Sequence, residues 1–134
     1  MTVVFCTTAK GRTPHLARTL PQHLKNNPNA KFIVLGYNDG DGLADYISSR
    51  HAEDLSCGRL SFYQYREVVP FRMAHAKNLA HRLGILEGGG VLVNLDADNF
   101  TGKGFADYVV KKFTEQNKSF LWSRMVKDGE GRLP

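Results

Sequence analysis

The chain has 134 residues and a formal net charge of +5, from 18 Lys and Arg against 13 Asp and Glu. This length is typical of one domain, so we predict a single unit over residues 1–134. With 42% hydrophobic and 23% charged residues, the composition excludes an intrinsically disordered chain. The longest apolar runs have about five residues, far fewer than the ~20 that cross a bilayer, so no transmembrane segment is predicted.

The net charge and the cysteine content indicate which kinds of binding partner and which cellular compartment to expect. The positive charge favours an anionic partner such as a phosphate group. The longest basic run is the pair Lys111–Lys112, so nucleic acid is not expected as a partner. The start of the chain has neither the basic region nor the cleavage motif of a secretory signal. Because Cys6 and Cys57 cannot form a disulfide framework, a reducing, cytoplasmic compartment is expected.

Strands and helices alternate along the chain, as judged from β-rich apolar runs and from apolar residues spaced three or four apart. The first half contains the predicted strand Val3–Cys6, a polar loop over residues 7–11, a helix that follows Thr13 and ends over residues 26–29, the strand Phe32–Leu35, a turn over residues 37–42 and the helix Leu43–Arg50. The second half contains the strand Leu60–Tyr65, the helix Met73–Leu86, the strand Val91–Leu95, a helix through Phe105, Val109 and Phe113, and an apolar run at Ser119–Ser123.

Three residues are predicted to cap a helix or to interrupt one. Thr13 is a candidate cap for the first helix, whose first turn tolerates a proline. Pro21 lies inside that helix and is expected to kink it or break it into two pieces. Asp41 is a candidate cap for the helix Leu43–Arg50.

The alternation of strands and helices predicts an α/β fold. We expect a Rossmann-like, mostly parallel sheet with helices on both faces. The strands Val3–Cys6, Phe32–Leu35 and Val91–Leu95 are apolar on both faces, so they are expected to be central. Ligands of such sheets bind beyond the carboxyl ends of the strands. The loops over residues 7–13, 36–42 and 96–101 are therefore the predicted site.

The strongest chemical signal is Asp96-Ala97-Asp98, directly after a buried strand. Two carboxylates two residues apart on an extended segment point to the same side and repel each other unless a cation lies between them. Their oxygens suit Mg²⁺ or Mn²⁺, which keep positions open for phosphate oxygens. The alternative is a pair of solvated loop acids, one of them capping the helix near Gly104.

Four stretches, taken together and in order, resemble a known enzyme family. They are Val3 to Arg12, Asn38 to Gly42, Ala74-His75-Ala76-Lys77-Asn78 and Val91 to Asn99. In this combination the chain resembles the GT-A nucleotide-sugar glycosyltransferases of the second sequence family. The resemblance implies metal-dependent, inverting transfer of a sugar from a nucleoside-diphosphate sugar to an acceptor glycan or another hydroxyl compound. The metal would be Mn²⁺ or Mg²⁺.

The resemblance also implies roles for particular residues. The first loop would lie along the nucleoside, the second would supply an acidic residue that contacts the nucleotide base, and Lys77 would lie near the diphosphate. The second-loop acid most often aligns with position 36, which is Gly36 here, so Asp39 or Asp41 must substitute. The implied nucleotide-binding residues are Thr7, Ala9, Arg12, Asp39, Asp41, Lys77 and Asp96, and the implied metal ligands are Asp96 and Asp98.

The family's acceptor-binding half follows the position where this sequence ends, at Pro134, so we expect these residues to form only the donor-binding part. No catalytic base is identified. Apolar surface near Phe120, Leu121 and Trp122 would then be uncovered, and a homo-oligomer is expected. Two other functions stay open. Gly11-Arg12-Thr13-Pro14 loosely resembles the first loop of sugar nucleotidyltransferases, and a non-catalytic nucleotide-binding or interaction module is the third interpretation.

Overall fold

The computed structural model describes residues 1–67 and 70–116. The strands are β1 Val3–Ala9, β2 Lys31–Tyr37, β3 Leu60–Tyr65 and β4 Val91–Asn94. The helices are α1 Thr13–Asn26, α2 Leu43–Arg50, α3 Ala52–Ser56, α4 Met73–Leu86 and α5 Phe105–Glu115. These strands form one parallel sheet in the order β3-β2-β1-β4. The predicted α/β, Rossmann-like class is confirmed.

The sheet is covered on both faces because its strands alternate between two apolar clusters. On one face, Phe5 of β1 stacks on Phe32 of β2 with ring centroids 4.9 Å apart, and α1, α2 and α5 pack over them. On the other face, Val4 and Cys6 of β1 pack with Ala80 of α4. The predicted arrangement of helices on both faces is therefore confirmed.

Three expectations about these elements are wrong. The expected break of the first helix into two pieces is wrong, because α1 continues through Pro21, which lies on its exposed side, while Leu16, Leu20 and Leu24 anchor the helix in the core. The strand β4 forms an edge of the described sheet instead of a central strand, because it pairs only with β1 there. The strand β1 continues to Ala9, so the polar loop begins later than predicted.

Two further observations complete the fold. Across the described ranges, no helix is both long enough and apolar enough to span a membrane. The apolar run Ser119–Ser123, with Phe120, Leu121 and Trp122, lies outside the described residues.

The close approach of α4 to the sheet depends on Gly84. A Cβ atom at this position would lie 2.8 Å from Leu92 Cδ2 and 3.0 Å from Cys6 Sγ. We therefore expect Gly84→Val to lower the free energy of unfolding by about 2 kcal/mol or more, because the branched side chain has no room without moving β1 or β4. Urea denaturation measures the change.

The matched control is Arg82→Val, at an exposed position of the same helix. It places the same β-branched residue in the helix at a propensity cost of roughly 0.5 kcal/mol relative to arginine, a cost that replacement of glycine does not carry, and without the steric conflict. Equal destabilisation by the two variants would contradict the packing argument.

Candidate functional site

Polar loops follow β1, β2 and β4 at one edge of the sheet. The three strands are parallel, so their carboxyl ends lie at the same edge. The loop after β1 leads into α1, the loop after β2 leads into α2, and the loop after β4 leads into α5. The structure thus brings together the three loops that the sequence predicted to form the site.

Asp41 fastens the second loop to the start of α1. Its Oδ1 accepts a hydrogen bond from Thr13 Oγ1 at 2.6 Å, and its Oδ2 accepts one from the Thr13 backbone N–H at 3.1 Å. The expected cap on α2 is wrong, since α2 begins after Gly42, which has a φ of +85° and makes no side-chain cap. The expected cap by Thr13 is also wrong. Thr13 is the first residue of α1, and its hydroxyl and N–H both donate to the carboxylate of Asp41.

Asp39 adds a second connection between the same two loops. Its Oδ1 accepts hydrogen bonds from the backbone N–H of Gly11 at 3.4 Å and of Asp41 at 3.2 Å. Burial raises the pKa of Asp39, whereas the hydrogen bond with the Asp39 side chain lowers the pKa of Asp41. This pattern makes Asp39 the member of the pair that holds a proton more readily and Asp41 the one that stays ionised.

The residues predicted to line the nucleoside from the first loop have different positions. Ala9 is 1% exposed and its side chain lies in the core, and Thr7 is also buried within β1. Any contact they make with a ligand at this edge is therefore limited to their main-chain atoms. Arg12 is exposed and precedes α1 directly, so its side chain is free to reach a ligand.

The D-x-D segment is a turn and not the extended segment that the sequence predicted. The strand β4 ends at Asn94, and the N–H of Asn99 donates to the carbonyl of Asp96 at 3.1 Å. Ala97 is buried, and the side chains of Asp96 and Asp98 on either side of it are exposed. The two carboxylates therefore reach solvent together because the small residue between them points into the core.

Lys77 contacts the D-x-D turn from α4, on the opposite face of the sheet from α1. Its Nζ lies 3.3 Å from Asp96 Oδ1. The structure thus brings together Lys77 and Asp96, which the resemblance placed beside one diphosphate. As both side chains are partly exposed, the contact is an adaptable ion pair and contributes little to stability.

A buried polar network between α1 and the loop after β4 was missed in the sequence. Thr19 Oγ1 donates to the carbonyl of Ala97 at 2.7 Å. Thr101 Oγ1 lies 2.9 Å from His23 Nδ1 and accepts a hydrogen bond from Asn27 Nδ2 at 3.0 Å. The signal was visible, because Thr19 and His23 are four residues apart on the face of α1 that also carries its leucines, and Asn27 follows four residues later, directly after the helix.

Burial lowers the pKa of His23 from 6.5 to about 4, and a backbone hydrogen bond with Asn99 only partly opposes this. The imidazole is therefore neutral at pH 7 and suits a network of neutral hydrogen bonds. These hydrogen bonds connect the loop after β4 to α1, so the position of the D-x-D turn depends on α1.

The donor atoms at this edge suit a hard divalent cation. Among residues 1–67 and 70–116, no group of three or more His, Cys, Asp or Glu side chains could hold a metal ion. A site built from Asp96 and Asp98 would therefore supply few protein ligands. That fits Mg²⁺ or Mn²⁺, which keep several positions for water and phosphate oxygens, and it does not fit a closed structural zinc site.

Sequence comparison identifies no relatives, since no protein-family model and no curated protein matches the chain. Comparison with solved structures identifies proteins of similar fold. The mannosyltransferase PcManGT from Pyrobaculum calidifontis, solved with GDP-Man and Mn²⁺, matches 85% of this chain with a TM-score of 0.69 at 20% identity. Residues 1–349 of S. aureus TarS match 87% with a TM-score of 0.68 at 13% identity, and the same protein with UDP gives 0.66 at 11%.

The match covers only part of those proteins. The chain spans about a third of their length, 32% of PcManGT and 33% of TarS 1–349, and the matched region is their N-terminal part. At these identities the likeness concerns the fold. The chain has the fold of the N-terminal part of GT-A-like glycosyltransferases.

Proposed function

We propose that this chain is the donor-binding part of a glycosyltransferase that takes its sugar from a nucleoside-diphosphate sugar. The observation that carries the proposal is the contact of Lys77 with Asp96 at the carboxyl edge of a GT-A-like sheet. It sets a cation and an exposed carboxylate pair where ligands of parallel sheets bind. The complexes of PcManGT with GDP-Man and of TarS with UDP support a nucleotide ligand for this fold.

The nucleoside would lie over the first two loops. Main-chain atoms at the end of β1 and the exposed side chain of Arg12 would contact it, and Asp39 and Asp41 connect the two loops by hydrogen bonds. The carboxylate oxygens of Asp39 can accept hydrogen bonds from donor groups of a base. The connection would keep both loops ordered before the ligand arrives.

The diphosphate would lie between α4 and the D-x-D turn. Asp96 and Asp98 would hold Mn²⁺ or Mg²⁺, in keeping with the Mn²⁺ in the PcManGT complex. When bound, the metal would neutralise charge that develops on the departing diphosphate. Lys77 would orient Asp96 and place its ammonium group against phosphate oxygens as a point charge.

Transfer would proceed with inversion at the anomeric carbon. The acceptor hydroxyl would form a bond to that carbon as the bond to the diphosphate breaks on the opposite side, and the hydroxyl proton would pass to a base. We assign the donor-binding step to this chain and assign no catalytic base to its described residues. Positioning of the donor supplies the electrostatic part of the catalysis.

A thermal-shift panel tests this function. GDP, UDP, ADP and CDP are each added with and without Mn²⁺. A diphosphate at about 100 times its dissociation constant should stabilise the fold by ~2.7 kcal/mol and raise the melting temperature by several degrees. Stabilisation by one or two nucleotides only with Mn²⁺ is the expected result. If none of the four raises the melting temperature, the donor-binding proposal is wrong, and metal-dependent exchange of pyrophosphate into a nucleoside triphosphate would favour a nucleotidyltransferase instead.

Lys77→Gln should weaken nucleotide binding in Mn²⁺ about tenfold, because one charge-assisted contact to the diphosphate is lost. Lys77→Arg should keep most of the affinity, since it retains the charge. Isothermal calorimetry with the nucleotide chosen from the panel measures both variants. The control is Lys111→Gln, an exposed lysine on α5. Affinity that Lys77→Gln leaves unchanged would remove Lys77 from the site.

A further inference from the structure

The helix α1 presents positive charge along one side. It contains no Asp or Glu, and its exposed residues include His15, Arg18 and Lys25. At spacings of three and seven residues, these side chains fall on one strip of the helix surface. Lys103, also exposed, lies in the loop that the Gly104 N–H ties to the carbonyl of Asn26 at 2.8 Å. We call Arg18, Lys25 and Lys103 the basic stripe.

The basic stripe carries charge that the rest of the described fold does not neutralise. Over residues 1–67 and 70–116, no carboxylate lies within 4.0 Å of the nitrogen atoms of Arg18, Lys25 or Lys103. Lys77 and Lys112, in contrast, each have an acidic neighbour. Exposed cations without counter-charges attract an anionic ligand.

A shallow groove extends from Arg18 of the basic stripe to Asp98 of the D-x-D turn. Its walls are His15, Arg18, Thr19, Asp98 and Phe100. Phe100 is 50% exposed, and its ring packs against the ring of His23, with centroids 6.5 Å apart. The ring of Phe100 is therefore fixed by its contact with His23, and the exposed part of the ring is available for stacking against a sugar ring.

We propose that the groove and the basic stripe bind an acceptor saccharide chain that carries phosphate or carboxylate groups along its length. This inference rests on the proposed function and adds the class of acceptor. The helical rise of ~1.5 Å per residue separates Arg18 and Lys25 by about 10 Å, which suits anionic groups repeated along a chain better than one compact anion. The groove would lead the chain to Asp98, where the donor would lie.

A membrane surface suits this side of α1 less well. Helices that lie in a membrane interface bury large apolar side chains beside their basic ones. The exposed residues of α1 include no large apolar side chain, and Phe100 is the one large apolar side chain among the described residues that line the adjoining groove. Charge alone would make any membrane contact weak and sensitive to salt.

Fluorescence anisotropy tests the proposal with labelled oligogalacturonate, which carries carboxylates, and labelled phosphomannan oligosaccharide, which carries phosphates. Methyl-esterified oligogalacturonate of equal length is the neutral probe. We expect at least one anionic probe to bind and the neutral probe to bind at least tenfold more weakly; the two anionic probes distinguish carboxylate from phosphate. Arg18→Gln/Lys25→Gln/Lys103→Gln should weaken the bound probe about tenfold, at roughly a factor of two for each exposed charge.

The control variant is Arg50→Gln/Arg82→Gln/Lys111→Gln, which removes the same charge from other exposed positions. Equal weakening by both triple variants would show an effect of net charge only and would overturn the proposal. Tighter binding of phosphatidylglycerol vesicles or of single-stranded RNA through the same three residues would also overturn it.

Nucleotide calorimetry in Mn²⁺ separates this proposal from the donor-binding function. The basic-stripe variant should bind nucleotide as the unaltered chain does. Nucleotide binding without saccharide binding would refute the acceptor proposal alone. Saccharide binding through the stripe without nucleotide binding would refute the donor function, and with it the acceptor role, while supporting a surface for anionic saccharides.

Discussion

Asp98→Asn is expected to abolish the metal-dependent part of nucleotide binding. The change removes one of the two negative charges that would hold the cation and keeps the size of the side chain. Since changes even outside the ligand shell cost 10–100-fold in metal affinity, we expect a loss of about 100-fold or more. Calorimetric titration of GDP or UDP, with and without Mn²⁺, separates the two contributions to binding.

Asp107→Asn is the control, because it makes the same chemical change at an exposed position on α5. The side chain of Asp98 makes no hydrogen bond among the described residues, so its substitution should leave the unfolding free energy nearly unchanged. Asp98→Asn that bound nucleotide in Mn²⁺ as tightly as Asp107→Asn would refute the assignment of Asp98 to the metal.

The second large effect concerns acid stability and His23. Burial holds the pKa of His23 at about 4 in the folded chain, against 6.5 for the exposed group. Between these values the unfolded chain binds a proton that the folded chain does not, so stability falls as pH drops from about 6.5 to 4. The full difference is roughly 3 kcal/mol. Above pH 6.5 both states hold a neutral ring, and His23 adds no pH dependence.

The pH dependence is measured by urea denaturation at intervals from pH 7.5 to 4, for the unaltered chain and for His23→Gln. The variant should be less stable at neutral pH, because the amide replaces a ring that packs on Phe32 and Phe100. Its stability should nevertheless fall less steeply below pH 6.5. Parallel curves for the two proteins would show that His23 is protonated equally in both states. His15→Gln, at an exposed position, serves as the control for losing one histidine.

Local patterns in the sequence predicted most of the elements. The helices Leu43–Arg50 and Met73–Leu86 and the strand Leu60–Tyr65 have the bounds expected from apolar spacing. The predicted break at Pro21 was wrong because helix propensity does not take into account that the residue lies on the exposed face. On that face, the loss of one backbone hydrogen bond costs little free energy. The edge position of β4 depends on which strands pair, and composition does not encode that choice.

The site was predicted in outline and missed in its connections. The resemblance implied that Lys77 and Asp96 lie beside one diphosphate, and the structure brings these two side chains into contact. The hydrogen bonds between Asp41 and Thr13 join residues that are 28 positions apart. The local sequence pattern instead predicted that Asp41 caps the nearer helix, α2. The sequence predicts an extended D-x-D segment where the structure has a turn, because a spacing of two between carboxylates does not distinguish a strand from a turn whose middle residue is buried.

The central claim is that Asp96, Asp98 and Lys77 form one site for a metal and a diphosphate. The most direct measurement is anomalous X-ray diffraction from crystals grown with Mn²⁺ and the nucleoside diphosphate that the thermal-shift panel selects. We predict a manganese peak within bonding distance of Asp96 or Asp98, with the diphosphate on the metal and on Lys77 Nζ. A bound nucleotide with its phosphates at another edge of the sheet, or a manganese peak remote from both aspartates, would contradict the account.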